Sequence, residues 1–408
     1  MTELVIRAGH NDHLAVADLL AVGGMSLAAR QHTRRLVVNA PVAAGQDGFA
    51  NAAAAAAHQF LIDPQTAMLT SAVAPGDPWL RLPYATPDPM KPADLTSSAA
   101  RDRLVGQVVD HELSLGATGI IPPYVHLSEN RGAWHDIQNQ LYVRTGAYLA
   151  QLGLSHPVLP IISIDLAKIN LERSKWDSGI GHLVRTAAAN TDQPVALALS
   201  RSGAHPTRHS LHAATVTWRR AGQVTRVLAW QAGDIGPLAV AVGAVGYETG
   251  LCAREHCNIP GDQARHRDRD ADKKMDGTWA GVYLDILNRS VARKTAAQLV
   301  ADYRLAGDLV CPDAACCPDG SRSMVEDGRR QHAIRSRLAS LDELSRIATL
   351  NWRLRHIQVA ATRAEAVARR VVSYADRHGI ERHGILVADY TALAEVAAAL
   401  RSTNRSVA

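Results

Sequence analysis

Eight short β-type runs, spaced by longer helical patterns, fill the first 250 residues and narrow the fold more than any other feature of this chain. The runs are Leu4-Val-Ile-Arg7, Leu36-Val-Val-Asn39, Phe60-Leu-Ile-Asp63, Gly119-Ile-Ile-Pro122, Val158-Leu-Pro-Ile-Ile-Ser163, Val195-Ala-Leu-Ala-Leu-Ser200, Arg226-Val-Leu-Ala-Trp230 and Val245-Gly-Tyr-Glu248. Most are almost unbroken apolar segments, the pattern of parallel strands covered on both faces. Helical patterns lie at 50–58, 97–115, 134–152, 181–189, 210–221 and 235–243, with a weaker one near 14–30. A doubly wound open sheet would show the same alternation. The count of eight, and the lack of a G-x-G-x-x-G turn after the first run, favour a closed (β/α)8 barrel over residues 1–250. Pro160 falls inside one run and removes a ladder donor there.

The remainder has a different character, and the chain reads as an α/β barrel with a C-terminal, cysteine-containing, mainly helical appendage. Residues 251–345 combine a polar loop, a helix over 290–306 and a cysteine/histidine segment, and residues 346–408 form a helical extension. Long helical patterns cover 323–347 and 350–378. A strand-like run, Gly384-Ile-Leu-Val-Ala388, precedes a helix near 390–401.

The five cysteines fall in two clusters, Cys252/Cys257 and Cys311/Cys316/Cys317. Such clustering points to ligands rather than to a disulfide frame. No apolar run approaches the roughly 20 residues of a membrane span, and the amino terminus lacks a signal-peptide pattern. A cytoplasmic protein with no membrane partner is expected. The net charge of +5 rests on arginine, with only six lysines among 44 basic residues. With abundant alanine and two phenylalanines this matches a GC-rich coding bias, so the charge permits a polyanionic partner without requiring one.

In a barrel, chemistry gathers at the carboxyl ends of the strands. Asp63 and Glu248 are lone carboxylates closing apolar runs, suited to act as base or nucleophile. Helix capping or turn formation is the competing role, most natural for Asp63 before Pro64. Gln65, Arg201, His205 and Gln231 follow other strand ends and are candidate substrate contacts; His10, Asn11, Asp12 and His13 lie just beyond the first strand, where the histidines read more simply as loop residues. The segment Cys311-Pro-Asp-Ala-Ala-Cys316-Cys317-Pro-Asp-Gly320 places thiolates a few residues apart across a turn. With His332 it offers four ligands for one structural zinc; buried thiols or a redox pair are the alternatives. Cys252, His256 and Cys257 lie where they could reach the same centre. Residues 322–370 hold eleven arginines against five acidic residues, with Trp352 among them. That surplus suits an RNA or DNA backbone, or a solvated helix pair covering the barrel.

These pieces resemble the tRNA-guanine transglycosylase superfamily, zinc-containing (β/α)8 barrels that exchange a guanine in a polynucleotide for a deazaguanine. Phe60-Leu-Ile-Asp63-Pro-Gln65-Thr is similar to the family's D-S-G-G-F-Q base motif in its Asp and nearby Gln. Tyr247-Glu248-Thr-Gly-Leu-Cys-Ala-Arg254 is similar to the nucleophile motif F-D-C-V-x-P-T-R, with Glu for Asp. Cys311, Cys316 or Cys317, and His332 keep the order of the zinc motif but not its spacing. The resemblance implies base exchange, with Glu248 attacking the anomeric carbon and Asp63 as acid/base. A barrel hydrolase or lyase acting on a small molecule, and a non-catalytic nucleic-acid-binding barrel, fit the same residues.

Overall fold

The computed structural model describes residues 2–10, 12–20, 31–46, 48–203, 205–252, 255–268, 281–327, 329–382 and 384–405. Eight parallel strands, β1 (Glu3–Ala8), β2 (Arg35–Asn39), β3 (Gln59–Asp63), β4 (His126–Leu127), β5 (Ile161–Asp165), β6 (Val195–Ser200), β7 (Val227–Ala229) and β8 (Gly246–Gly250), form one sheet in the order β3-β2-β1-β8-β7-β6-β5-β4. The sheet curls until its edges meet. Leu61 of β3 bridges Gly119, and Ile120 bridges Val158, both in parallel sense. The run Gly119–Pro122 thus closes the barrel through single bridges, and the regular ladder of the fourth strand waits until His126↔Ser163. Pro122 and Pro123 lack the N–H groups that would have continued it. Gly119 packs closely: a Cβ there would lie 2.1 Å from Gln59 Nε2 and 2.9 Å from Leu61 Cδ2, so those side chains would have to move aside.

Alternation along each strand sorts the side chains into two cores. Val5, Val37, Leu61, Ile121, Ile161, Ala198, Leu228 and Trp230 pack together within the barrel. Their neighbours Leu4, Ile6, Leu36, Val38 and Ile162 face the surrounding helices. Those helices include Ser98–Ser114, Ala133–Gln151, Ile180–Ala189 and Arg208–Gly222, close to the expected spans. Two begin on side-chain caps: Ser97 accepts from the Ala100 amide, and Thr207 and Ser210 cap each other reciprocally. The helix near 14–30 is seen as His13–Leu20; residues 21–30 lie outside the described residues.

Beyond β8 the chain packs a second apolar core around an antiparallel pair, β9 (Gly281–Leu284) and β10 (Arg289–Ala292). Two sequence expectations are corrected here. The span 290–306 is not one helix: it opens as β10 and continues as helices Arg293–Val300 and Tyr303–Leu309. The run Gly384–Ala388 is not a strand. Ile385 is buried in the second core and helix Val387–Arg405 starts immediately after it, so the apolar residues serve helix packing. The long helices Arg329–Arg346 and Leu350–His378 follow their patterns closely. Among the described residues no helix is long and apolar enough to cross a membrane.

Candidate functional site

Arg7 organises the carboxyl end of the barrel. It follows Val5 on the inward face of β1, so its guanidinium lies among the strand ends with 2% of its surface exposed. Nη2 donates to Asp63 Oδ2 at 2.8 Å and Nε to Glu248 Oε1 at 2.8 Å. Nη1 donates to Asn39 Oδ1, and the guanidinium stacks 5.2 Å from the Trp230 ring centre. The backbone amides of Gln65 and Gln231 donate to Asp63 Oδ1 at 2.9 Å and Glu248 Oε2 at 2.8 Å. Tyr124 Oη donates to Asp63 Oδ1 at 2.9 Å. The two sequence-selected carboxylates therefore do share one site, joined through a cation, and neither reaches solvent. Glu248 stands in the middle of β8 rather than at its end.

Burial sets the electrostatics. It works against the charge on Arg7, yet Glu248 and Asp63 hold that guanidinium's pKa above its ordinary value. Burial pushes the Glu248 carboxyl up, while Arg7 and the Gln231 amide draw it partly back. The Tyr124 phenol rises well above its usual range through burial, then through Asp63. His126 shares the barrel mouth: a nitrogen of its ring, Nδ1, lies 3.0 Å from Ser163 Oγ, and burial pulls its pKa down to about 4. His126 Nε2 and Trp230 Nε1 are buried without a hydrogen-bond partner.

Gln65 and Gln231 both adopt left-handed backbone, at φ 44° and 49°. Such geometry costs a non-glycine residue on the order of 1–3 kcal/mol. Arg201 does not turn to the carboxylate pair; it salt-bridges Asp234 at 2.5 Å. His205 instead meets Asp389 of the last helix at 2.9 Å, beside Arg289. Asp12 accepts from the Gly9 amide and pairs with Arg330. His10 meets Gln46, while Asn11 lies outside the described residues.

The second constellation gathers Cys311, Cys316, Cys317 and His332, whose ligand atoms lie within 4.8 Å of one another and could hold a metal ion. His332 Nδ1 is 3.6 Å from both Cys316 Sγ and Cys317 Sγ, and those sulfurs are 3.9 Å apart. The other imidazole nitrogen, Nε2, faces the Tyr283 carbonyl of β9 at 3.1 Å, which directs Nδ1 at the thiols. The Asp313 carbonyl accepts from the Cys316 and Cys317 amides and fixes the turn. Interaction with Cys317, then with His332, pulls the Cys316 thiol down to about 5. Cys252 and Cys257 stay apart from this group: Cys252 packs against Tyr283 and Ala333, and Cys257 inside the barrel. Burial pushes both thiols up to about 12. Arg254 lies outside the described residues.

Many of the arginines of 322–370 are engaged internally. Arg330, Arg346, Arg369 and Arg370 pair with Asp12, Asp342, Glu365 and Asp308. Arg337 is fully buried: it salt-bridges Glu255, donates to the Gly233 carbonyl at 2.7 Å and stacks 4.2 Å from Tyr283. Trp352 remains 59% exposed with Arg355 stacked at 5.3 Å. Arg7 is the residue of this site that the strand list did not single out. Its signal was present: an inward-facing charge in an apolar strand must find buried partners.

No protein-family model matches the chain, and no curated protein matches its sequence. Among solved structures it is similar to a thiamine phosphate pyrophosphorylase from Pyrococcus furiosus, at 9% identity and TM-score 0.28, over 65% of this chain and 93% of that one. It is also similar to an O-GlcNAc hydrolase mutant from Thermobaculum terrenum, at 10% identity and TM-score 0.34, over 100% of this chain and 95% of that one. Likenesses of this extent bear on neither activity nor substrate.

Proposed function

We propose that the chain is a transglycosylase-like enzyme that exchanges a base in a polynucleotide at the barrel mouth. The observation that carries this reading is the meeting of Asp63 and Glu248 on one guanidinium at the carboxyl end of the barrel. In the reaction, a Glu248 oxygen bonds to the anomeric carbon as the glycosidic bond breaks, and the bonding pair leaves with the base. Asp63 supplies the proton that base needs and takes one from the incoming base, which then displaces Glu248. Arg7 holds both carboxyls in place and offsets one of their charges. A splayed-out or single-stranded nucleotide is required to reach so enclosed a site.

The Cys311, Cys316, Cys317 and His332 group fits one structural zinc. Tetrahedral zinc with bonds near 2.3 Å to sulfur and 2.0–2.1 Å to nitrogen places two sulfurs about 3.8 Å apart, and sulfur and nitrogen about 3.6 Å apart. The separations among Cys316, Cys317 and His332, 3.9 Å and 3.6 Å, match that geometry, and the Cys311 sulfur lies within 4.8 Å of the other ligand atoms. When bound, the ion would cross-link the cysteine turn to helix Arg329–Arg346.

A second reading has its own support. All four carboxylate oxygens of Asp63 and Glu248 accept hydrogen bonds from this chain. That satisfaction suits a structural polar plug, with function residing elsewhere. One experiment separates the two. The protein is incubated with labelled guanine and either bulk tRNA or duplex DNA, and incorporated label is counted. Base exchange requires incorporation by the wild type and none by Glu248→Gln at an unchanged melting temperature. Failure of the wild type on both polynucleotides overturns the enzyme reading. Elemental analysis should find about one zinc per chain in protein purified without chelators; metal-free protein overturns the zinc assignment.

A further inference from the structure

We propose that residues 257–267 are a lid over the barrel, and that lifting it is what opens Asp63 and Glu248 to a substrate. This rests on the reading of the mouth as the active site, and adds how that site is reached.

The segment crosses the mouth from one rim to another. At the β6 rim the Cys257 carbonyl accepts from the Arg201 amide at 2.9 Å, and the Ile259 amide donates to Ser200 Oγ at 3.0 Å. At the β3 rim Gln263 Nε2 donates to the Ala67 carbonyl at 2.7 Å and to Thr70 Oγ1 at 3.0 Å. Between these attachments Cys257 and Ile259 belong to the inner core that also holds Tyr124 and Trp230. Tyr124 donates to Asp63, and Trp230 stacks on Arg7. The lid therefore rests on the charged cluster itself. Past Gln263 the His266 carbonyl accepts from the Ala74 amide at 3.0 Å, and His266 Nδ1 meets Asp77 Oδ2 at 2.8 Å. With this cover in place both carboxylates are 0% exposed.

The hold is polar and peripheral. Helix Ile259–Arg267 buries one of its nine residues, Ile259, whereas Ser98–Ser114 buries six. A helix with so little apolar contact belongs to the part of a fold that opens at low cost. Its rim hydrogen bonds are exchanged for bonds to water on opening, so each adds little net hold. Upstream, Glu255 is fixed by Arg337 and by Ser290, which places the pivot at His256.

Cys257 moves with the lid, and Cys252 does not: it packs against Tyr283 and Ala333. Both residues are buried, at 2% and 3% exposure, so each thiol must be uncovered before it reacts. The test follows alkylation of the two cysteines by iodoacetamide in the intact protein, read by peptide mass spectrometry, in wild type and Gln263→Ala. Removing the Gln263 bonds should speed Cys257 alkylation about tenfold. The Cys252 rate and the melting temperature should stay unchanged. In wild type, urea should accelerate Cys257 alkylation less steeply than it promotes global unfolding, because a lifted lid exposes less surface. Equal acceleration of both cysteines by Gln263→Ala, or of neither, overturns the lid. So does a urea dependence equal to that of global unfolding. Neither readout requires turnover, so a failure here is distinct from a failure to incorporate labelled guanine.

Discussion

Two fully buried arginines anchor this molecule, and their surroundings differ in one charge. Arg337 joins the appendage to the barrel and faces one carboxylate, Glu255, together with the Gly233 carbonyl and the Tyr283 ring. Glu255 is satisfied in turn by the amide and hydroxyl of Ser290, at 2.9 Å and 2.7 Å. That cluster pairs one cation with one carboxylate, with Arg337 Nε alone left buried without a hydrogen-bond partner among the guanidinium nitrogens. Arg7 lies at the barrel mouth between two carboxylates, so its cluster carries one acidic group more than charge balance needs. A buried ion pair is weak evidence for stability, and a surplus buried carboxylate weaker still. Balance is what a structural joint needs; the second carboxyl at Arg7 is the feature on which the proposed chemistry at the mouth rests.

The largest effect should come from breaking the balanced cluster. Arg337→Met strands Glu255 in the interior and should lower stability by about 3–5 kcal/mol, as removing one partner of a buried pair does; urea unfolding measures it. A change below about 1 kcal/mol would mean that the joint does not depend on this pair.

Acid should act on the mouth more than on the joint. The ordinary histidine value is 6.5, and burial takes His126 to about 4, so the unfolded chain binds this proton more readily than the folded one. The stability this group contributes is whole above pH 6.5 and is lost as pH falls towards 4, by about 3 kcal/mol at most. Denaturant titrations at pH 7 and pH 4.5 should differ less for His126→Gln than for wild type. Identical pH slopes in the two proteins would remove His126 from the account.

Metal removal sharpens the comparison from the other side. The Cys/His group touches Tyr283, which lies against Arg337, and has no contact with Arg7. Chelation should cost about 2.7 kcal/mol if the ion was held at a hundredfold excess over its Kd. Faster hydrogen exchange should appear in β9 and helix Arg329–Arg346 and spare β1. Uniform loosening of the whole chain would contradict the separation of the two regions.

The smallest expected stability change belongs to Glu248→Gln. Asp63 remains to balance Arg7, so unfolding free energy should move by less than about 1 kcal/mol while base exchange disappears. Glu255→Gln, which leaves Arg337 without its counter-charge, should destabilise more. If the two variants lose equal stability, the difference in charge balance carries no functional meaning.

Much of this was legible in the sequence because parallel strands leave an apolar trace that needs no tertiary information. Seven runs fall on the strands observed, and Asp63 and Glu248 were found by asking which charges close those runs. The fourth run was harder to place, since Gly119–Pro122 contributes only bridges and its prolines defer the ladder. Arg7 and Arg337 needed a further step. Arg7 shares the inward face with Val5, and Arg337 is buried on its helix beside Ile334, Leu338 and Leu341. Periodicity marks both positions as interior, but only the folded chain shows which partners answer their charge. For the Arg-rich stretch composition gives only a count of charges, and the fold adds which of them are paired: Arg330, Arg346, Arg369 and Arg370 with carboxylates on the surface, Arg337 in the interior.

The single bridges at Gly119 and Ile120 give the barrel a seam, and seams set kinetics. Neighbouring strands such as β1 and β8 are held along five paired positions, whereas residues 118–120 are held to β3 and to the start of the fifth run by a few backbone bonds around one bridge on each side. Local opening draws on the least-bonded part of a structure. The seam runs beside Leu61 and Ile121, a few residues from Asp63 and Tyr124, so breathing there would uncover the carboxylates without unravelling the rest of the barrel. Entry by that route would be gated: association would be limited by how often the seam parts, not by diffusion, and a captured guest would leave only at the same slow rhythm.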